Sequence, residues 1–283
     1  MFFFFQSLIG INAQINAKVT AAAVGVLEIE GFGKQGLTSF ENCKYGVSTT
    51  NTYKNLITKN NMSKVLYGVY ASAPRRGQIN NNSVTSTEVG ICVTGSSNST
   101  FYTSSNTITA ASGSGIKYAV SKASKGQYYA ETNVIYLESS NLSPIGISAM
   151  NVSTAICSNR IFIKGTGSIG INLENTQGSY FKNSIKGQNT KSNIGIQATM
   201  TKGANYDNRM YRDSVTNTNI GFRFNGFAPT DFILNISKTH SYGLYLYQSA
   251  YGFTLFPNVG SVQNAANVTV TINSIGKTKC TTV

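Results

Sequence analysis

The sequence contains no tryptophan, four prolines and four cysteines among its 283 residues. Because proline removes a backbone donor, its rarity leaves long stretches in which strands can pair without interruption. There is one histidine and no Cys-x-x-Cys motif, which argues against a zinc site, and no metal ion or other cofactor is expected. The cysteines Cys43, Cys92, Cys157 and Cys280 fall at different points of the repeat described below, which argues against a disulfide between adjacent coils and leaves the pairing open.

Charged residues are also scarce, at 12% of the chain, and their balance is one-sided. Lysine and arginine exceed aspartate and glutamate by 13. This excess favours an anionic partner such as an acidic polysaccharide, although dispersed lysines also simply keep a protein soluble. Specific nucleic-acid binding is not expected, because the densest basic cluster, Pro-Arg-Arg-Gly at residues 74–77, resembles a loop between strands.

What the sequence does contain is a repeated five-residue phrase: apolar, glycine, apolar, any residue, apolar. Successive glycines of this glycine phrase are 22 to 31 residues apart, a period typical of a solenoid. Positions one, three and five are apolar everywhere except at Thr49 and Ser114, so we predict that they share the inward face of a strand. The nine copies are residues 45–49, 67–71, 89–93, 114–118, 145–149, 169–173, 194–198, 220–224 and 242–246.

A second phrase, asparagine followed by any residue and then an apolar one, falls once between neighbouring glycine phrases. Each coil therefore contains at least two short strands joined by turns. Asparagine suits such a corner because it tolerates positive φ and bonds to the local backbone, and its side chains are predicted to stack as a ladder. The asparagines are Asn55, Asn82, Asn106, Asn133, Asn159, Asn183 and Asn208, spaced by 24 to 27 residues.

These two phrases, once each per coil, resemble the pectate-lyase-like superfamily of right-handed parallel β-helices. The resemblance implies an all-β fold, a right-handed parallel β-helix (solenoid) of about nine or ten coils with irregular terminal caps. The helix is predicted over residues 37–253. Residues 1–36 are predicted to hold a cap and a secretory signal remnant, with a truncated start or a buried strand as alternatives, and residues 254–283 a C-terminal cap or the start of a following segment. No transmembrane segment is predicted.

Outward side chains at the fourth position of the glycine phrase are the predicted binding residues. In four successive coils they are Asn172, Gln197, Arg223 and Tyr245. Amides and arginine can bond to sugar hydroxyls or carboxylates, and a tyrosine ring can stack on a pyranose. A ladder with a repeat of about 4.8 Å also suits a polymer. The alternative is an ordinary solvated face.

Weak catalytic candidates are Asp207 and Asp231, which are 24 residues apart. Two carboxylates about 5–5.5 Å apart would suit a retaining glycosidase, but these two lie at different distances from their preceding glycines. Arg209 and Arg212 are alternative ion partners for them. The calcium cluster and catalytic base of the superfamily's enzymes match no position here.

Fold alone does not choose among the functions found in this superfamily. The sequence predicts a secreted or cell-surface scaffold that binds carbohydrate, with a polysaccharide or another anionic extracellular polymer as its partner. A polysaccharide lyase or glycoside hydrolase is the alternative, and a viral tailspike or fibre segment is a third hypothesis. The oligomeric state is not predicted.

Overall fold

The computed structural model describes residues 26–31, 38–95, 98–120, 126–138, 143–188, 192–200, 207–225, 229, 231–238, 241–247 and 254–255. The predicted signal remnant, most of both predicted caps and His240 lie outside these ranges. Within them every regular element is a β-strand, so no helix there is long and apolar enough to cross a membrane.

The structure contains 26 strands in the described ranges. The first thirteen are β1 Val26–Glu30, β2 Phe40–Glu41, β3 Tyr45–Thr50, β4 Lys54–Thr58, β5 Asn61–Ser72, β6 Arg76–Asn80, β7 Ser83–Thr94, β8 Thr100–Ser104, β9 Thr107–Ala110, β10 Ser114–Ala119, β11 Gln127–Glu131, β12 Val134–Leu137 and β13 Ile145–Met150. The others are β14 Ser153–Cys157, β15 Arg160–Ile163, β16 Ile169–Glu174, β17 Gln177–Phe181, β18 Ser184–Gly187, β19 Ile194–Thr199, β20 Asn208–Tyr211, β21 Ser214–Thr216, β22 Ile220–Asn225, β23 Asp231–Ile233, β24 Ile236–Lys238, β25 Tyr242–Tyr247 and β26 Thr254–Leu255.

Three parallel faces wrap around one core. The glycine face stacks the strands that carry the glycine phrase: β3, the second halves of β5 and β7, β10, β13, β16, β19, β22 and β25. The asparagine face stacks β2, the first halves of β5 and β7, β9, β12, β15, β18, β21 and β24. The third face is a separate sheet in the order β1, β4, β6, β8, β11, β14, β17, β20, β23, β26.

Each strand pairs in parallel with its counterpart one coil along the chain, so the molecule is a parallel β-helix, and the predicted all-β solenoid class is confirmed. Nine stacked strands carry the glycine phrase and enclose about eight turns, slightly fewer than predicted. Strands β1 and β26 pair in parallel with β4 and β23, so the third face extends past both ends of the predicted range 37–253.

Apolar residues from one coil stack on those of the next. Ile171 pairs with Ile147 on one side and Ile196 on the other, and all three are fully buried. Each buried isoleucine contributes roughly 1.5–3 kcal/mol to stability. Positions three and five of the glycine phrase point into this core as predicted. The prediction was wrong for position one, because residues such as Ile145 and Ile169 lie outside the core cluster and are partly exposed.

Glycine occupies position two because the asparagine face needs its space. A Cβ added to Gly146 would lie 2.4 Å from the carbonyl oxygen of Gly170 and 2.8 Å from Cγ2 of Ile161. Isoleucine from the asparagine face therefore packs directly over a bare backbone. This contact explains why the phrase breaks the simple alternation expected of a strand.

The predicted asparagine ladder is present at the turn between the third face and the asparagine face. In the middle coils Asn106 donates its backbone N–H and its side-chain Nδ2 to Oδ1 of Asn133, both at 3.0 Å. Asn133 does the same to Asn159, at 3.0 and 2.9 Å. These side chains are almost completely buried, and each amide also bonds to a backbone carbonyl, so the turn leaves few polar groups unpaired.

Two of the seven predicted ladder asparagines were assigned wrongly. Asn55 and Asn208 point into the core, where Asn55 donates to Oγ1 of Thr49 at 3.1 Å and Asn208 accepts from the Tyr180 hydroxyl at 3.2 Å. Their ladder places belong to Asn60 and Asp213. The positive φ also belongs to the residue before each ladder position and not to the asparagine itself, as at Lys59, Asn81, Ser105, Thr132, Ser158, Lys182, Arg212 and Leu234.

The sequence predicted a loop for the basic cluster at residues 74–77, but only part of the cluster lies outside a strand. Strand β6 begins at Arg76, and Gly77 lies buried beneath the ring of Phe101. The alternation of arginine with small and apolar residues fits a strand once the coil length is known. The cluster is therefore divided between a turn at Pro74 and Arg75 and the start of strand β6 at Arg76.

Candidate functional site

The predicted binding residues form one row on the outside of the glycine face. Register pairs join Asn172 to Gln197, Gln197 to Arg223, and Arg223 to Tyr245. We call these four residues the glycine-face row. All four are half-buried, and the Gln197 side chain donates from Nε2 to Oδ1 of Asn172 at 3.1 Å. The structure thus brings the four side chains together, and their role in binding stays a prediction.

The same row continues toward the N-terminus with a different character. Its members there are Ser48, Tyr70, Cys92, Lys117 and Ser148. Ser48 and Cys92 are buried, with 9% and 4% of their surface exposed, so the row offers fewer reachable polar groups in those coils. Large polar side chains in consecutive coils are therefore a feature of the C-terminal half.

The weak catalytic candidates meet around one arginine on the third face. Nη2 of Arg209 lies 3.2 Å from Oδ2 of Asp207, and its Nε lies 3.7 Å from Oδ2 of Asp231. The Tyr211 hydroxyl donates to the same oxygen of Asp231 at 3.0 Å. In register Asp231 stands opposite Arg209, so the two aspartates are not opposite each other. Both carboxylates are therefore bound to a cation, an arrangement that explains the cluster without catalysis.

An aromatic pair was missed by the sequence interpretation. Tyr102 and Tyr129 occupy equivalent places in adjacent coils of the third face, and their rings stack with centroids 4.5 Å apart and planes 6° from parallel. Tyr129 lies on strand β11, which begins at Gln127, and it alternates with the fully buried Tyr128. Tyrosines at the same strand position in successive coils were the pattern that would have found this pair.

A buried carboxyl group takes one rung of the asparagine ladder. Oδ1 of Asp213 accepts from the backbone N–H and from Nδ2 of Asn183, both at 2.9 Å, and its own N–H donates to Oδ1 of Asn235 at 2.9 Å. Its other oxygen, Oδ2, is buried and has no hydrogen-bond partner in the described structure. This oxygen stands where each neighbouring asparagine carries its amide nitrogen.

The hydrogen bonds made by the side-chain amide nitrogens of the neighbouring ladder asparagines indicate which group Oδ2 of Asp213 faces. Asn183 donates to the carbonyl oxygen of Ile156 at 2.8 Å, and Asn235 donates to that of Met210 at 3.1 Å. Between these two acceptors in register lies Tyr180, whose carbonyl oxygen is the equivalent acceptor for residue 213. Two unprotonated oxygens would repel each other there. A protonated carboxyl group would instead donate, as the asparagines do.

Burial favours that protonated form. Desolvation raises the pKa of Asp213 from its ordinary 3.8 to about 7, against the opposing effect of the hydrogen bonds from Asn183. Lys182 and Arg212, the charged neighbours in the adjoining turns, are exposed and lie outside the ladder. The ladder therefore contains one acid whose charge state matters to the fold.

Comparison with known proteins adds one match. Residues 11–128 match a family model described as NosD, periplasmic copper-binding protein. The chain is similar to that family over this segment, and its fold is a parallel β-helix. The match covers less than half of the chain, and no curated protein and no solved structure matches it. The narrower pectate-lyase-like assignment stays a prediction.

The description of that family mentions copper binding, which requires suitable ligand atoms in the matched segment. The matched segment has no histidine, and its soft ligand atoms are those of Cys43, Met62 and Cys92. Cys43 donates to the Tyr45 carbonyl at 3.1 Å, Met62 is fully buried, and burial raises the pKa of Cys92 to about 11. No group of three or more histidine, cysteine or acidic side chains that could hold a metal occurs in the described ranges. These residues do not fit a copper centre.

Proposed function

We propose that this β-helix is a scaffold outside the cytoplasm that binds a carbohydrate or another extracellular polymer along the glycine-face row. The observation that carries the proposal is the register of that row. Asn172, Gln197, Arg223 and Tyr245 follow one another coil by coil, at a spacing of about 4.8 Å. A repeating surface of this kind matches the repeating contacts of a polymer.

The side chains of the row supply complementary chemistry. The hydrogen bond between Gln197 and Asn172 fixes two amides in a defined orientation, which lowers the entropy lost on binding. Arg223 is not among the residues that form ion pairs in the described structure, so its guanidinium is not neutralised by an acid there. The Tyr245 ring packs edge-on against Tyr242, with centroids 5.8 Å apart. Together they offer amide, cationic and aromatic contacts.

The cellular location is supported at a coarse level. The matching family is described as periplasmic, which agrees with a place outside the cytoplasm. A weakly charged surface rich in small polar residues also agrees with it. Adhesion and the identity of the polymer belong to the proposal alone.

Replacement of Arg223 and Tyr245 by alanine tests the proposal. A glycan array on purified protein first identifies a bound glycan, and titration calorimetry then measures its affinity. The double variant is expected to bind at least tenfold more weakly, a loss of about 1.4 kcal/mol, without a change in melting temperature. Lys117→Ala is the matched control, because Lys117 lies in the same row several coils away. Equal affinities for wild type and the double variant would exclude this face.

A polysaccharide lyase or glycoside hydrolase is the second candidate, and its catalytic residues would be Asp207 and Asp231, which lie on either side of Arg209. Incubation of any bound glycan with the protein separates the two candidates. New reducing or unsaturated ends that disappear in Asp231→Asn would establish catalysis and overturn the scaffold proposal. The viral fibre hypothesis predicts a trimer in solution, and a monomer would oppose it.

A further inference from the structure

A groove runs along the outer corner where the third face meets the ladder turn. Phe181, Tyr211 and Ile233 end strands β17, β20 and β23 and stand opposite one another in register. The next residues, Lys182, Arg212 and Leu234, occupy the positive-φ place of the turn. These six residues border an open groove with a volume of about 340 Å³. We call this site the corner groove, and it lies on a different face from the glycine-face row.

The corner groove is a local feature and not a requirement of the fold. In the preceding coils the strand-end positions hold Thr58, Asn80, Ser104, Glu131 and Cys157, and the turn positions hold Lys59, Asn81, Ser105, Thr132 and Ser158. The same backbone therefore accepts small and polar side chains. The C-terminal coils instead leave two aromatic rings and two aliphatic side chains on an outer surface, with Leu234 36% exposed. This apolar cluster is therefore a feature of the C-terminal coils and not of the repeat itself.

Within the described ranges, two cations border this apolar surface without forming an ion pair. The ion pairs in the described structure involve Lys59, Lys64, Lys164 and Arg209, and not Lys182 or Arg212. At the equivalent turn position near the N-terminus, Lys59 is paired with Glu30 at 2.6 Å. The corner groove thus carries a charge that an anionic ligand would balance.

We propose that the corner groove binds an acidic saccharide, with its carboxylate on Lys182 and Arg212 and the apolar face of a sugar ring against Phe181 and Tyr211. The volume of this open groove is near the lower end of the range for small-ligand sites, which suits one or two sugar rings bound at the surface. Guanidinium and ammonium groups are the usual partners of carboxylates, and aromatic rings supply a flat apolar platform. The chain's excess of 13 positive charges favours the approach of such a ligand.

Short oligogalacturonates serve as the probe, with their methyl esters as neutral counterparts. Calorimetric titration is carried out on the full chain and on Lys182→Gln/Arg212→Gln. The matched control is Lys186→Gln/Lys238→Gln, which removes two exposed cations from the asparagine face and leaves the same net charge. The groove variant is expected to lose at least tenfold in affinity, and the control less than twofold. The methyl esters are expected to bind at least tenfold more weakly than the acids.

Phe181→Ser tests the apolar contact, because it installs the side chain that Ser104 has at the equivalent position. It is expected to weaken oligogalacturonate binding at least threefold with an unchanged melting temperature, while Lys186→Gln/Lys238→Gln changes this binding less than twofold. The proposal would be overturned if Lys182→Gln/Arg212→Gln and Lys186→Gln/Lys238→Gln lost the same affinity. It would also be overturned if acid and ester bound equally, or if the probe did not bind at millimolar concentration. A dimer of the wild type that Phe181→Ser dissociates would overturn it as well, because a second copy would then occupy the groove.

Discussion

The middle coils and the C-terminal coils share one backbone but use the same corner differently. Around Asn133 the corner holds an asparagine inside and small polar residues such as Ser105 outside. Around Asp213 it holds a carboxyl group inside and the corner groove outside. The hydrogen-bond geometry of the ladder is the same in both, within about 0.1 Å.

The comparison separates what the fold needs from what it tolerates. The turn requires an acceptor oxygen at every ladder position, because two donors from the previous coil point at it. It also uses a donor toward the third face, which asparagine supplies at every pH and aspartate supplies only when protonated. Outside the turn, almost any side chain is accepted. A surface with a binding role is therefore expected where the outward residues of the corner are not small and polar.

Transfer of the carboxyl group to the middle coils should have the largest effect. Asn133→Asp places an acid where Nδ2 now donates to the Thr103 carbonyl at 2.9 Å. If burial shifts its pKa as it does that of Asp213, the variant loses about 4 kcal/mol of unfolding free energy at pH 8 and much less at pH 4. Chemical denaturation at both pH values measures the loss.

Asn81→Asp is the control for that experiment. Asn81 lies in the same kind of turn, one residue before the ladder, and its side chain is exposed. Its unfolding free energy should change by less than about 0.5 kcal/mol at either pH. A similar loss in both variants would mean that charge in general, and not the ladder place, matters.

The reverse change, Asp213→Asn, should stabilise the protein. It supplies the missing amide donor to the Tyr180 carbonyl and removes the cost of a buried acid. The expected gain is about 2–4 kcal/mol at pH 8, shrinking toward zero at pH 4. Because the pKa of Asp213 in the folded state is raised from 3.8 to about 7, the stability it contributes is full below pH 4 and is lost as the pH rises to about 7. A destabilised variant at pH 8 would show that the second oxygen has another partner.

The smallest expected effect on stability comes from a substitution at the positive-φ position of the turn. Thr132 adopts φ of 55° at the place where Asn81 adopts 57°, and a β-branched residue is poorly suited to that region. Thr132→Asn should raise the unfolding free energy by about 1 kcal/mol, while Ser158→Asn should change it less. A lower melting temperature for Thr132→Asn would indicate that the hydrogen bond between the hydroxyl groups of Thr132 and Ser105, which are 3.1 Å apart, outweighs the backbone strain.

Much of this architecture could be predicted because each coil repeats the same inward apolar residues, the same glycine and the same kind of turn. The stacking of Ile171 between Ile147 and Ile196 follows from the glycine phrase alone. Asn55 was misplaced because Asn60, five residues later, fits the same pattern and the turn length is invisible in sequence. Asp213 was missed because the search was for asparagine. The corner groove was missed because Phe181, Tyr211 and Ile233 lie in strands without a recognisable phrase, so only the register brings them together.

The protonation of Asp213 tests most directly whether one ladder register runs through both regions. Carbon-13 NMR of carboxyl groups in the folded wild type, with the Asp213 signal assigned by its absence in Asp213→Asn, follows its titration between pH 3 and 9. A ladder position predicts a midpoint near pH 7. A midpoint at or below the ordinary 3.8 would place this carboxyl group in water and would contradict the ladder assignment.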